Sequence, residues 1–207
     1  MREDASRMLL YDSAVSGNCY KVRLLLSHLG VSYERREVDV IDRSDRAQLL
    51  GGLNPALRVP TLVLDDDRSL AESNAIIWHL AEGTPYLPDD RFQRAKVLQW
   101  LFFEQYSHEP YIAVLRFWLT VAKLSPTQHE LDAKRAGGEA ALDALEGQLE
   151  LAPYLVGDAY SIADIALYAY THVAGEAGFE LATRPAIRAW LARVEAQPRH
   201  VPISDDR

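Results

Sequence analysis

Residues 7–30 read RMLLYDSAVSGNCYKVRLLLSHLG, and this stretch decides the fold. Arg7–Asp12 is a short apolar run with the length and content of a buried strand, whereas Val22, Leu25, Leu26 and Leu29 recur at helical spacing across Gly17–Gly30. Gly30 stands where a helix ends on a left-handed residue. Between strand and helix lie Ser13, Ser16, Gly17 and Asn18. The orphan N–H groups and positive dipole end of a helix make such a junction either an N-capped loop or an anion site. Cys19 falls in the first helical turn, where a thiol pKa can be lowered; its first reading is still a small buried thiol.

Outward from this unit, Val31–Val38 alternates as a second strand, and Arg43–Gly51 is a short helix stopped by Gly51-Gly52. Thr61–Leu64 and Ser69–Leu70 flank Asp65-Asp66-Asp67-Arg68 as the arms of a tight hairpin, and Glu72–Ala81 is helical with Ile76, Ile77 and Leu80 inward. The order is β-α-β-α-β-β-α. Thr84–Asp90 (TPYLPDD) reads as a linker. Beyond it only helices are expected: Phe92–Ala122, kinked at Pro110; Thr127–Leu151; Ser161 to about Gly175; and Pro185–Ala196. Ser161-Ile162-Ala163-Asp164 is a capping box, with Tyr160 and Ile165 placed as its hydrophobic staple. That is a folding device, not chemistry.

Composition narrows the function. At 207 residues and 48% hydrophobic content the chain can bury a core without staples, and 25% charged residues do not suggest disorder. Twenty-two basic against thirty acidic residues, a net charge of −8, argue against a nucleic-acid surface. One cysteine excludes a disulfide framework or an internal dithiol cycle, and no pair of the six histidines has metal-ligand spacing, so no metal is expected. No apolar run reaches the roughly 18 residues of a membrane span, and Met1–Arg7 is unlike a signal peptide. A cytoplasmic protein with no membrane or nucleic-acid partner is expected.

Two further polar segments complete the pattern. Asn54-Pro55-Ala56-Leu57-Arg58-Val59-Pro60-Thr61 places a proline directly before a strand, which suits an edge or a cis bond. Leu70-Ala71-Glu72-Ser73-Asn74 is another polar helix start, with Ser73 a simple N-cap on its own. In this order and spacing, from about Met8 to Gln197, the chain resembles the cytosolic glutathione transferases of the bacterial, serine type. The matching features are the serine-bearing loop, Val-Pro before the third strand, Glu-Ser before the third helix, the linker and the Ser-x-x-Asp box.

The resemblance implies a thioredoxin-like glutathione-binding domain over residues 8–83, a linker over 84–91 and an all-helical domain over 92–207. Ser16, six residues before Val22, would be catalytic and donate to the glutathione sulfur, with Asn18 assisting or substituting. Cys19 does not align with the cysteine of cysteine-type members. Val59 would exchange backbone hydrogen bonds with the cysteinyl unit, next to a cis Pro60. Glu72 would hold the γ-glutamyl ammonium, Ser73 its carboxylate, and Arg58 the glycyl carboxylate, unless Arg58 is a solvated surface residue. The second substrate, a small hydrophobic electrophile, would lie between the domains near Tyr106, Tyr111, Arg116 and Trp118. His108 beside Glu109 does not make an acid/base pair, because neighbours in a helix face different ways. Glutathione is thus the co-substrate, and a homodimer is implied. A glutathione-dependent peroxidase or disulfide reductase at the same site, and a non-catalytic binding module, are the alternatives.

Overall fold

The structure, a computed structural model, describes residues 8–205. The start Met1–Arg7, with the first residue of the expected strand, lies outside the described residues. The chain divides into two compact units. One holds the described residues up to Ala81 and those from Pro198 onward; the other is Glu82–Gln197.

In the first unit β1 (Leu9–Asp12), α1 (Gly17–Leu29), β2 (Glu34–Glu37), α2 (Arg46–Leu50), β3 (Thr61–Val63), β4 (Ser69–Ala71) and α3 (Ser73–Ala81) follow in the expected order. The sheet runs β2-β1-β3-β4, with β1 and β2 parallel and the other pairs antiparallel. Leu10 and Leu62 are buried at its centre. The edge strand β2 is Glu-Arg-Arg-Glu, a charged edge that discourages pairing with other chains. It is shorter than the expected Val31–Val38 because the Val31 N–H returns to Leu26 O (3.1 Å), closing α1 behind Gly30 at φ 68°.

The last described residues correct the expected domain limit of 92–207, since Pro198–Asp205 packs on the first unit. Side chains on one side of α1 bind its carbonyls: Tyr20 to Val201 (2.7 Å), Arg23 to Ile203 (2.7 Å), Ser27 to Arg199 and His28 to Pro198 (both 2.8 Å). These four positions recur at helical spacing, so one helix flank straps the tail. Arg23 is itself fixed by the inaccessible carboxylate of Asp12 (2.7 and 2.8 Å), which also accepts from Arg35 Nε.

In the second unit, α4 (Arg91–Phe103), α5 (Glu109–Arg116), α6 (Gln128–Leu149), α7 (Ile162–Thr171) and α8 (Pro185–Glu195) are the helices. The expected single helix Phe92–Ala122 is interrupted by a π turn at Glu104–His108 and another at Phe117–Val121. Proline explains the first. Pro110 has no N–H and its ring collides with the carbonyl one turn back. The wider turn, closed by Glu109 N–H to Glu104 O, restarts the helix with Pro110 in its first turn, where the lost donor is harmless. Among the described residues no helix is long and apolar enough to cross a membrane.

Every residue of α7 is buried, and α4, α5 and α8 pack around it. Its capping box forms as expected, and Asp164 does more than cap. Its inaccessible carboxylate accepts from Ser161 N (2.9 Å), Leu155 N (3.0 Å) and Trp190 Nε1 (2.9 Å), tying the helix start to the preceding loop and to α8. Burial raises its pKa from the ordinary 3.8 to about 6. The folded state therefore holds this proton more tightly than the unfolded chain. The contribution of Asp164 to stability is greatest below 3.8 and declines as pH rises to about 6. Urea unfolding of Asp164→Ala should show a loss of about 3 kcal/mol or more, because buried donors are orphaned. The stability difference between wild type and Asp164→Asn should shift in favour of wild type as pH falls through the same window; the opposite slope would contradict the assignment.

Candidate active site

Sheet register brings the three polar segments to one end. Thr61, the first residue of β3, pairs with Tyr11 on one side and Ala71 on the other. The chain leaving β1 at Asp12, the chain arriving at Thr61 and the chain leaving β4 at Ala71 are therefore neighbours. They carry Ser16 and Asn18, Arg58 to Pro60, and Glu72 and Ser73.

The first segment is held from both sides. Arg23 donates to the carbonyls of Ser13 (3.2 Å) and Ala14 (3.3 Å), and Ala14 N–H donates to Glu37 (3.0 Å). Ser13 is buried, and Tyr11 lies inside the strand as expected. Ser16 is the N-cap of α1 and half-buried; its Oγ accepts from Cys19 N–H (3.3 Å). The hydroxyl still has a proton to donate. Cys19 is inaccessible, and burial pushes its thiol well above the usual range, so it stays protonated and inert.

The second segment is built around Asn54, which the sequence reading quoted without giving it a role. Its buried amide donates to Arg58 O (2.9 Å) and Thr61 Oγ1 (3.0 Å) and accepts from Ala56 N–H (2.9 Å). Arg46 adds a bond to Leu57 O (3.2 Å), where φ is 53°. The Val59–Pro60 bond is cis. With the Arg58 carbonyl taken by Asn54 and Thr61, neither the N–H nor the C=O of Val59 has a hydrogen-bond partner among the described residues. The Arg58 side chain is exposed.

In the third segment Glu72 is exposed and sits at φ 67°, a left-handed conformation costly for a residue with a Cβ. Ser73 begins α3, is buried and donates to Asn18 Oδ1 (3.1 Å), which joins the first and third segments directly. Beneath both lies Lys21, a residue that the sequence reading passed over. Its signal was a cation three and four residues ahead of Leu24 and Leu25, on the apolar face of α1.

The other four candidates lie in the second unit. Tyr106 is 85% exposed. Tyr111 and Trp118 both face the Lys134 ammonium, 5.5 and 5.6 Å from their ring centres, and Arg116 is paired with Glu176 at 2.8 Å. Those three side chains already serve their own unit. His108 is buried with Nε2 on Thr171 Oγ1 (2.9 Å). Among the described residues no cluster of His, Cys, Asp or Glu could hold a metal ion. If Glu72 carries backbone strain for a ligand, Glu72→Gly should raise the unfolding free energy by up to about 1 kcal/mol, read as a higher urea midpoint at unchanged m. Glu72→Gln, which keeps the Cβ, should not.

Comparison with known proteins supplies the family. The family model "Glutathione S-transferase, N-terminal domain" matches residues 10–87, and "Glutathione S-transferase, C-terminal domain" matches 94–198. A solved glutathione S-transferase from Pseudomonas fluorescens is 49% identical and superposes with a TM-score of 0.92, covering 96% of this chain and 99% of that one. Glutathione S-transferase 3 of Zea mays is 30% identical over 200 residues, 91% of this chain and 89% of that protein. The disulfide-bond oxidoreductase YfcG of Escherichia coli is 27% identical over 192 residues, 89% of each chain. With both family models matched and nearly the whole length aligned, the chain belongs to the glutathione S-transferase family, as an enzyme of the transferase class.

Proposed function

We propose that the protein activates the thiol of glutathione for attack on a small hydrophobic electrophile. The observation that carries this is the convergence at Thr61, with a free backbone N–H and C=O on Val59 between two helix starts. A γ-glutamyl tripeptide suits such a site. Its cysteinyl main chain adds to Val59 as an extra strand, shaped by Pro60. Its ammonium meets Glu72, and its γ-glutamyl carboxylate meets the first N–H groups of α3 at Ser73. Arg58, exposed beside Val59, faces the glycyl carboxylate.

The sulfur then lies at the start of α1. A free thiol has a pKa of about 8.5, so only a few per cent is thiolate at pH 7. Lowering it by about two units takes roughly 2.7 kcal/mol. One hydrogen bond to a charged acceptor contributes about 1.5–3 kcal/mol and a helix dipole about 0.3–1. Ser16, at the α1 N-terminus, supplies both, with Asn18 as a second donor. The helical unit selects the electrophile, and Tyr106 is its exposed candidate. The same reading makes the protein a cytoplasmic homodimer engaged in detoxification. Leu98 and Phe102, exposed one turn apart on α4, suit a partner surface.

Disulfide reduction at the same site is the second reading, favoured by the name of the Escherichia coli relative. Because Cys19 is buried and inert, such a reaction would use two glutathiones, oxidised to their disulfide as the substrate disulfide becomes two thiols. Ultraviolet thiolate absorbance of bound glutathione against pH tests the activation. Ser16→Ala should raise the bound thiol pKa by one to about two units, whereas Cys19→Ala should leave activity within about twofold of wild type. A depressed pKa in both wild type and Ser16→Ala would transfer activation to Asn18 and the helix amides. A wild type that binds no glutathione would leave only a non-catalytic module.

A further inference from the structure

Asn54 and Thr61 have no part in the chemistry proposed above, yet both side chains are buried and both converge on one carbonyl, that of Arg58. The Asn54 amide donates one hydrogen to Arg58 O (2.9 Å) and the other to Thr61 Oγ1 (3.0 Å). The Thr61 hydroxyl sends its own proton to Arg58 O (2.8 Å), which closes a triangle. The remaining polar atom of Asn54, its carbonyl oxygen, accepts from Ala56 N–H (2.9 Å).

Such a set is a demanding way to begin a strand, because every buried member must be satisfied. Valine in place of Thr61 would suit the strand equally well. What the polar set adds is a fixed peptide plane. The Arg58–Val59 bond is trans, the cis bond lying one residue further on. In a trans peptide the C=O and N–H point in opposite directions. With Arg58 O drawn inward to Asn54 and Thr61, the Val59 N–H is turned away from both, and it has no hydrogen-bond partner among the described residues. The preceding carbonyl, Leu57 O, is held in the same way by the buried Arg46 (3.2 Å), so the approach to Val59 is fixed over two consecutive peptides. Two donors on one carbonyl also polarise its peptide and strengthen the N–H at the other end.

We propose that Asn54 and Thr61 are positioning residues for ligand recognition: they hold the Arg58 carbonyl so that the Val59 N–H faces the cysteinyl carbonyl of glutathione, given that the site binds glutathione as proposed above. Both side chains are too deeply buried to touch the ligand, and neither acts on its sulfur. Their loss is therefore felt in binding of the tripeptide main chain and not in the acidity of its thiol.

Calorimetry on the full chain compares glutathione with the analogue whose cysteinyl–glycine peptide bond is an (E)-alkene, which lacks the carbonyl that Val59 N–H would bind. Wild type should prefer glutathione by about tenfold or more, the effect of leaving one N–H unpaired. Thr61→Val keeps the shape of the side chain but removes one donor from Arg58 O, and the preference should fall to about threefold or less. Thr61→Ser, which keeps the hydroxyl, should retain the wild-type preference. Thr61→Cys, whose thiol is a weak donor, should show the same loss as the valine variant and carries the test if that variant does not fold. In all three the pKa of the bound thiol should match that of wild type. A valine or cysteine variant that is less stable to heat yet keeps the full preference, or one that raises the bound-thiol pKa, would overturn the positioning role while leaving the glutathione site standing. A wild type that binds glutathione no better than the analogue would remove the Val59 contact itself, and with it the reading on which the proposal rests.

Discussion

The register of Thr61 between Tyr11 and Ala71 is the constraint on which the site depends. In a sheet with side-chain period two, a one-residue slip would turn Leu62 from the core to the opposite face. Buried Leu10 and Leu62, in one row with half-buried Leu70, therefore hold the register, and the register aligns the ends of three strands. Candidate segments distributed over nearly sixty residues, from Ser16 to Ser73, are thereby brought to one end of the sheet.

What surrounds that end of the sheet is charged and buried, which is expensive for stability and informative about function. Asp12 anchors Arg23, and Arg23 fixes the Ser13–Ala14 carbonyls and the C-terminal strap at once. Removing one partner of such a set leaves an uncompensated buried charge, so the cluster acts as a unit. Lys21, two residues earlier and so on the other side of the same helix, donates to Ser73 and Asn74 of α3. The second unit keeps its own buried carboxylate, Asp164, for folding alone. Buried ions of the two kinds are told apart by where their hydrogen bonds lead.

Much of this was legible in the sequence. Apolar periodicity and turn residues gave all seven elements of the first unit, and the Ser161–Asp164 box marked the start of α7. Four features were not. The C-terminal strap has no periodicity of its own, and only the side chains of α1 define its place. A proline announces a kink, but whether a π turn absorbs it depends on tertiary packing, so Glu104–His108 could not be read in advance. The bonds of Lys21 to Ser73 and Asn74 join residues more than fifty positions apart, and only the packing of α3 on α1 brings them together. Asn54 was similar, an ordinary turn residue until its amide was found knotting the loop before Pro60.

The central claim is that the three segments form one tripeptide site with Val59 at its middle. A crystal structure of the protein with glutathione tests it most directly. The account predicts the cysteinyl main chain paired with the Val59 N–H and C=O, the γ-glutamyl carboxylate at the first turn of α3, and the sulfur against the Ser16 hydroxyl. Glutathione seated elsewhere, or bound with the Val59 backbone still facing solvent, would contradict it.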